Sequence, residues 1–257
     1  MAALIAVPLG LLIGAVLGLV GAGGSIIAIP ALVYGVGLSP AQAIPSSLIV
    51  VGFAAITAIL PRIRNNIDWT TALLIGAAGI PAAWLGAATS RLIDPNMLLL
   101  AFAALMVVAA VRMLTAKPGN AATDGSETRR MRTFIPKAVA VGVAVGFLTG
   151  LFGIGGGFII TPALILLLGL RAGKAVGTSL VIIIINSAAG ITAHLGNLDI
   201  NWPVVLTFTG AAVVGSLIAA RFANKLPDRT IKITFGIIVL AVAVFVAGSS
   251  ITALVTA

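Results

Sequence analysis

The stretch that decides the fold is Gly150-Leu-Phe-Gly-Ile-Gly-Gly-Gly-Phe-Ile-Ile-Thr-Pro-Ala-Leu164, together with the related stretch Gly18-Leu-Val-Gly-Ala-Gly-Gly-Ser-Ile-Ile-Ala-Ile-Pro-Ala-Leu32. An offset of 132 residues places four glycines and the proline of the second stretch on those of the first. Apolar composition alone would match Leu and Val at random, but it would not align glycines in register. The chain is therefore an internal duplication.

The composition around these stretches is that of an integral membrane protein. Of the 257 residues, 60% are hydrophobic and only 8% are charged, whereas a soluble domain carries about a quarter charged residues. Disorder requires low hydrophobicity and high charge, so it is excluded as well. There is no cysteine, and neither glycine stretch matches a nucleotide-binding motif. We therefore expect no cofactor and no ATP-driven mechanism.

Each half offers five apolar segments, which predict an all-α polytopic protein built from two repeats. We place the segments at 4–20, 26–37, 42–60, 69–90 and 96–114, and at 137–152, 157–170, 175–195, 202–222 and 231–252. Three segments per half are long enough to span a bilayer, which takes about 20 helical residues. The first two of each half are shorter, and either full spans or re-entrant hairpins would fit them. The predicted units are a first repeat (1–116), a cytoplasmic linker (117–135) and a second repeat (136–257).

The placement of the basic residues predicts how the repeats are oriented. The net charge is +9, and Lys and Arg accumulate in cytoplasmic loops. If the halves are inverted and the linker is inside, fourteen of the 15 basic residues lie inside and only Arg91 lies outside. Parallel halves would instead divide them eight to seven. We therefore expect an inverted repeat in the bacterial or archaeal inner membrane with both termini outside, and Trp69 and Trp202 at opposite membrane faces. The basic part of the linker is a solvated segment or, alternatively, a patch for lipid headgroups.

The glycines form two patterns with different meanings. A stripe at every fourth residue, Gly10, Gly14 and Gly18, is mirrored in the second half at Gly142, Gly146 and Gly150. This small-residue spacing predicts close helix packing. The runs 21–25 and 153–157 instead break the helix, which at membrane depth is tolerated only where protein or water covers the backbone. Free amides at the start of the next helix can bind an anion. Paired breaks in two halves are also typical of a transporter site, and a tight packing turn is the alternative.

Few polar side chains occur within the predicted spans. Ser46-Ser47 and Thr178-Ser179 are repeat-equivalent, and their hydroxyls either bind backbone carbonyls or line a substrate path. Asn186 follows an apolar run and needs polar partners at that depth. His194, the only histidine, is a candidate for proton coupling, with an interfacial hydrogen bond as the alternative. No acidic residue lies within a predicted span, so the carboxylate relay of a cation-coupled pump is missing.

The duplicated glycine signature resembles that of the TauE/SafE family of sulfite and organosulfonate exporters. The run Gly177-Thr-Ser-Leu180, followed by Asn186-Ser187, His194 and Ile200-Asn-Trp202, is also similar. The resemblance covers nearly the whole chain and implies an inner-membrane permease for sulfite, sulfoacetate or related sulfonates. The first half departs from the stronger pattern, because Ser25 replaces the last glycine and Pro45 stands where Gly177 does.

Our hypothesis is a secondary transporter that moves a small sulfur-containing anion by alternating access, with no enzymatic activity. We expect the two glycine breaks to face each other near the midplane. The predicted substrate-binding residues are Gly23, Gly24, Ser25, Ser46, Ser47, Gly155, Gly156, Gly157, Thr178, Ser179 and Asn186. The alternatives are an anion channel of the same architecture, an intramembrane enzyme, and a carrier of a cation or apolar solute. The expected partners are the anion and the bilayer, with no nucleic acid; a homo-oligomer is left open.

Overall fold

The computed structural model describes residues 2–21, 24–63, 66–115, 127–153, 157–194, 200–222, 237, 240–244, 246 and 248. Within these residues the helices are α1 (Ala2–Val20), α2 (Gly24–Pro30), α3 (Pro40–Ile59), α4 (Trp69–Ser90), α5 (Pro95–Thr115), α6 (Glu127–Phe152), α7 (Gly157–Leu166), α8 (Ala172–His194) and α9 (Trp202–Phe222). A π-helical turn (Ala31–Gly35) extends α2, and a 3₁₀ turn (Leu60–Arg62) extends α3. The predicted last segment, 231–252, falls mostly outside the described residues.

The described helices are those of a polytopic membrane protein, which confirms the predicted fold class. Five stretches are long and apolar enough to cross a membrane: Pro40–Arg62, Trp69–Ser90, Phe134–Phe152, Gly173–His194 and Trp202–Phe222. Shorter apolar helices are Ile5–Val20, Ile26–Gly35 and Met97–Val108. As predicted, Trp69 and Trp202 begin α4 and α9, and both side chains are exposed.

The start of the second half differs from the sequence prediction. The apolar span of α6 begins at Phe134 and has 19 residues, so it is long enough to cross a bilayer, whereas a shorter segment was expected. The helix itself begins earlier, at Glu127, so residues 127–135 of the predicted linker are helical. Glu, Arg and Met favour helix, and they extend α6 beyond its apolar part.

The first two apolar segments of each half end at glycines with left-handed backbones. Gly21 (φ 74°) and Gly153 (φ 68°) follow α1 and α6, while Gly37 (φ 82°) and Gly169 (φ 70°) follow the second segments. Glycine adopts this conformation without the steric cost that a Cβ imposes, which is why it commonly ends helices. The members of each pair are 132 residues apart. The duplication in the sequence is therefore also a duplication of the backbone path.

The glycine stripes pack as predicted, each against a helix of the other half. Gly10, Gly14 and Gly18 of α1 lie against backbone carbonyls of α9, and Gly142, Gly146 and Gly150 of α6 lie against backbone carbonyls of α4. A Cβ at Gly10 would sit 2.6 Å from the carbonyl oxygen of Phe208, and one at Gly142 would sit 2.6 Å from that of Ile75. No side chain fits at these distances, so the stripes allow backbone-to-backbone packing.

The contacts between the halves are reciprocal, as a two-fold relation requires. Repeat-equivalent glycines of α1 and α6 contact equivalent positions of α9 and α4. The equivalent helices α3 and α8 lie antiparallel, because Leu48 contacts Gly190 and Gly52 contacts Ser187. An inverted repeat needs this geometry, which therefore supports that prediction. The orientation of the chain in the membrane stays a prediction.

The two equivalent helices α3 and α8 form the centre of the bundle. In each of their spans 72% of the residues are buried, against 50% for α4 and α9 and 39% for α6. Four further helices, α1, α4, α6 and α9, surround this pair through the contacts just described. Any polar group on the inner faces of α3 and α8 is therefore remote from lipid, and the candidate site is built on these two helices.

Candidate functional site

Ser47 and Ser179 tie the first turns of α3 and α8 to the glycine break of the opposite half. The hydroxyl of Ser179 donates to the carbonyl oxygen of Gly21 (3.1 Å), and the hydroxyl of Ser47 donates to that of Gly153. Each proton is shared with a carbonyl of its own helix, that of Val176 or Ile44 (2.8 Å in both cases). Both side chains are fully buried. Of the two roles left open for these hydroxyls, the structure shows carbonyl binding.

The neighbouring hydroxyls, Ser46 and Thr178, are also buried but make different bonds. Ser46 donates to the carbonyl oxygen of Gln42, one turn earlier in α3 (2.6 Å). Thr178 accepts a hydrogen bond from the amide of Asp68 (2.9 Å) and so fixes the connection between α3 and α4 beside the start of α8. The predicted equivalence of the two pairs therefore holds for Ser47 and Ser179, but not for the residues before them.

The two glycine breaks do not face each other, which corrects the sequence prediction. Ser47, near the start of α3, contacts Gly153 at the second break. Arg62, at the end of α3, contacts Gly18 beside the first break, with Nη2 2.7 Å from the carbonyl oxygen. Fifteen helical residues separate Ser47 from Arg62, a rise of about 22 Å. The breaks therefore lie at opposite ends of the central helix pair, because each break packs against the start of the central helix from the other half.

Asn186 lies between the two ends and is fully buried without a hydrogen bond. Neither its amide nitrogen nor its amide oxygen has a partner, and the adjacent Ser187 hydroxyl is buried and unpaired as well. Asn186 packs against Gly79 of α4, where a Cβ would sit 2.5 Å from the amide oxygen. Seven residues of α8 separate Asn186 from Ser179, about 10 Å of rise. Buried polar groups are almost always paired, so an orphaned amide at this position is exceptional.

The remaining predicted site residues belong to the breaks themselves. Gly24 begins α2, and a Cβ there would sit 2.5 Å from the carbonyl oxygen of Ile13, so α2 packs directly against α1. Ser25 follows it in α2 and is described only in its backbone. Gly157 is buried and begins α7. The other three predicted glycines, Gly23, Gly155 and Gly156, lie outside the described residues.

Sequence reasoning missed Arg62, which it counted among the basic residues of an inside loop. The side chain is only 4% exposed, and Nη1 donates to the carbonyl oxygen of Ala58 (3.0 Å). His194 ends α8, is buried too, and places Nδ1 2.8 Å from the carbonyl oxygen of Gly190. Both pairs are 132 residues apart, so a buried basic side chain bonded one turn back ends each central helix. This repeat equivalence was the available signal.

Comparison with known proteins identifies the family. The profile of the family described as "Sulfite exporter TauE/SafE" matches residues 6–246. The chain belongs to the TauE/SafE family. The TauE/SafE chain is 32% identical over 256 residues to a "Probable membrane transporter protein" of Xylella fastidiosa (strain 9a5c), covering 95% of the chain and 94% of that protein. It is 30% identical over 266 residues to the "Probable membrane transporter protein YunE" of Bacillus subtilis (strain 168), covering 94% and 96%.

These matches confirm the expected resemblance and support a membrane transporter. A third relative, the "Probable membrane transporter protein MJ0441" of Methanocaldococcus jannaschii, is 36% identical over 121 residues, covering 45% of each chain. No solved structure matches the TauE/SafE chain. Its site therefore rests on its own geometry: two breaks at opposite ends of the α3–α8 pair, and one orphaned amide between them.

Proposed function

We propose that this protein is a secondary transporter of small sulfur-containing anions such as sulfite, sulfoacetate or other organosulfonates. The family description, which names a sulfite exporter, supports the substrate class. The five long spans contain no Asp or Glu, so they present no fixed negative charge to an anion. The hydrogen-bond donors on the central helices are hydroxyls, one amide and two buried basic groups, which suit the oxygens of a sulfite or sulfonate group.

The single observation that carries the proposal is the orphaned amide of Asn186. An unpaired buried polar group costs about 1–3 kcal/mol, and such groups in membrane spans face a substrate path or a partner. In the proposed mechanism the anion takes the amide N–H groups of Asn186 as donors in passing, and Ser187 lies beside it. The path runs from the first break, past Asn186, to the second break.

The other predicted binding residues then line the two ends of this path rather than one central shell. At the first break these are Gly23, Gly24, Ser25, Thr178 and Ser179. At the second break they are Gly155, Gly156 and Gly157 with Ser46 and Ser47, and His194 ends α8 as the candidate for proton coupling. The reciprocal contacts between the halves support alternating access, because two equivalent packings of one element about a two-fold axis can open opposite ends in turn.

Uptake of radiolabelled sulfite into proteoliposomes tests the role of Asn186. Replacement of this residue by leucine, which matches it closely in volume, is expected to abolish uptake while folded protein is recovered at the wild-type level. The matched control is Thr192→Val on the same helix, since Thr192 is exposed and bonds only to the carbonyl of Ala189. Wild-type uptake by Asn186→Leu would contradict the proposed path.

The proposed orientation in the cytoplasmic membrane, with both termini outside and the 117–135 linker inside, has its own test. The chain contains no cysteine, so a single introduced cysteine reports its side of the membrane to a membrane-impermeant thiol reagent in intact cells. A cysteine at Leu92, which is 86% exposed between α4 and α5, is expected to react. A cysteine at Asn120 in the linker is expected to react only after the membrane is permeabilised. The reverse pattern would contradict the orientation.

A further inference from the structure

Arg62 carries a buried positive charge that has no counter-ion in the described part of the chain. Its guanidinium donates to two neutral acceptors, the carbonyl oxygens of Ala58 (3.0 Å) and Gly18 (2.7 Å). No carboxylate pairs with it among the described residues. A guanidinium has five N–H donors in a planar fork, and these two bonds leave others for a further acceptor.

A buried charge without an opposite charge is costly in a membrane protein and is generally retained for function. The carbonyls at the ends of α1 and α3 carry partial negative charge, which orients the guanidinium but does not neutralise it. The site therefore keeps a net positive charge in surroundings of low dielectric, where its attraction for an anion is much stronger than in water.

The surroundings of Arg62 place this charge at the first break. Gly18 lies in the last turn of α1, one turn before Gly21, where the helix ends. Across the break, Ser179 of α8 binds the carbonyl oxygen of Gly21. One end of the α3–α8 pair thus combines a buried guanidinium with an interrupted backbone and a hydroxyl from the other half.

We propose that Arg62 is the cationic member of an anion subsite at the first break, and that it binds an oxygen of the transported sulfite or sulfonate group. This inference rests on the proposed function. His194 occupies the equivalent place in the second half, so the two ends of the path differ: one carries a permanent charge and the other an imidazole. The subsite at the first break is therefore expected to discriminate between anions by charge.

The competing role for Arg62 is structural, as a link between the ends of α1 and α3. A purely structural link would change the amount or stability of folded protein, whereas an anion ligand changes KM. Substrate charge separates the roles further, because the loss of one positive charge weakens the binding of a dianion more than that of a monoanion with the same oxygen geometry.

The test measures KM for labelled sulfite, and Ki for sulfate and methanesulfonate as competitors, in proteoliposomes of Arg62→Gln, Arg62→Lys and a control. The control is Arg221→Gln, which removes the same charge from an exposed position in the last turn of α9. Arg62→Gln is expected to raise KM about 10- to 100-fold, the size of one lost charged hydrogen bond, with a larger rise in Ki for sulfate than for methanesulfonate. Arg62→Lys, which keeps the charge, is expected to lie between wild type and Arg62→Gln.

The remaining outcomes would overturn the assignment. If both Arg62 variants fold and transport with the KM of Arg221→Gln, Arg62 does not bind the anion. Loss of folded protein in both variants would assign Arg62 to the helix contact alone. If wild-type protein itself moves no sulfite and binds neither competitor, the proposed function fails, and this is distinguishable because the wild-type control then gives no signal.

Discussion

Replacing Gly146 by alanine is expected to destabilise the contact between the two halves. A Cβ at Gly146 would overlap the backbone of Gly79, 2.5 Å from its Cα and 2.7 Å from its carbonyl carbon. These atoms belong to a helix backbone and cannot rotate away as a side chain would, so α6 and α4 must separate. Overpacking of this kind costs about 1–3 kcal/mol, and the loss is concentrated at the contact that joins the second half to the first.

Gly210→Ala provides the matched control. Gly210 lies in α9, and a Cβ there would meet nothing within 4 Å. Alanine is favoured over glycine in a helix by about 1 kcal/mol. This gain is common to both variants, so their difference isolates the overpacking.

The assay is thermal unfolding of the detergent-solubilised protein, followed by size-exclusion chromatography of the heated samples. A loss of about 1–3 kcal/mol lowers Tm by several degrees in a chain of this size. We therefore expect Gly146→Ala to melt below wild type, and Gly210→Ala to melt at or above it. Equal Tm values for the two variants would refute the conclusion that backbone-to-backbone packing at the glycine stripe holds the halves together.

The reciprocal geometry and the polar groups give further predictions. Gly14→Ala is expected to lower Tm about as much as Gly146→Ala, since a Cβ there meets the equivalent backbone of α9; a much smaller drop would show that the two contacts are not equivalent. Asn186→Leu is expected to leave Tm unchanged or raise it while abolishing sulfite uptake, because it removes an orphaned amide; a drop in Tm of several degrees would indicate that the amide is paired in the folded protein. Ser47→Ala and Ser179→Ala are each expected to cost about 0.5–1.5 kcal/mol in the same melting assay. Ser90→Ala, which removes a bond only to the preceding turn of α4, is the control, and equal losses in all three would argue against the inter-half bonds.

The helices could be predicted from the sequence because their signals are local. The observed α4 and α9 begin at Trp69 and Trp202, where the apolar runs begin, and Asp68 caps α4 through the amide of Thr71 (3.0 Å). The ends of α1 and α6 follow from Gly21 and Gly153, because a left-handed residue stops a helix whatever its neighbours are. The glycine stripe likewise implies a close neighbour, although the sequence does not say which helix supplies it.

The relative positions of the two breaks could not be predicted, because they depend on contacts between distant parts of the chain. Ser47 and Gly153 are 106 residues apart in sequence, and Ser179 and Gly21 are 158 apart. Their pairing places each break at the start of the opposite central helix and so separates the breaks. A sequence comparison within the duplication shows that the breaks are equivalent, but equivalence under a two-fold axis fits two facing breaks as well as two breaks at opposite ends.

The role of Arg62 was hidden for a similar reason. In the sequence it lies beside Pro61 in a short connection, where basic residues are usually solvated. Its burial depends on the carbonyl of Gly18, 44 residues earlier. The pairing of Arg62 with His194 through the 132-residue offset was visible in the sequence, and it would have marked both positions as ends of equivalent helices.

The measurement that tests the account most directly is sulfite counterflow in proteoliposomes that contain the purified wild-type protein. Vesicles loaded with unlabelled sulfite and diluted into a trace of labelled sulfite are expected to accumulate the label transiently, because a carrier that alternates between two faces exchanges one anion for another. Unlabelled sulfite outside is expected to suppress this accumulation at saturating concentration. Labelled sulfite that enters without transient accumulation, at a rate that rises linearly with concentration, would contradict alternating access and indicate a channel.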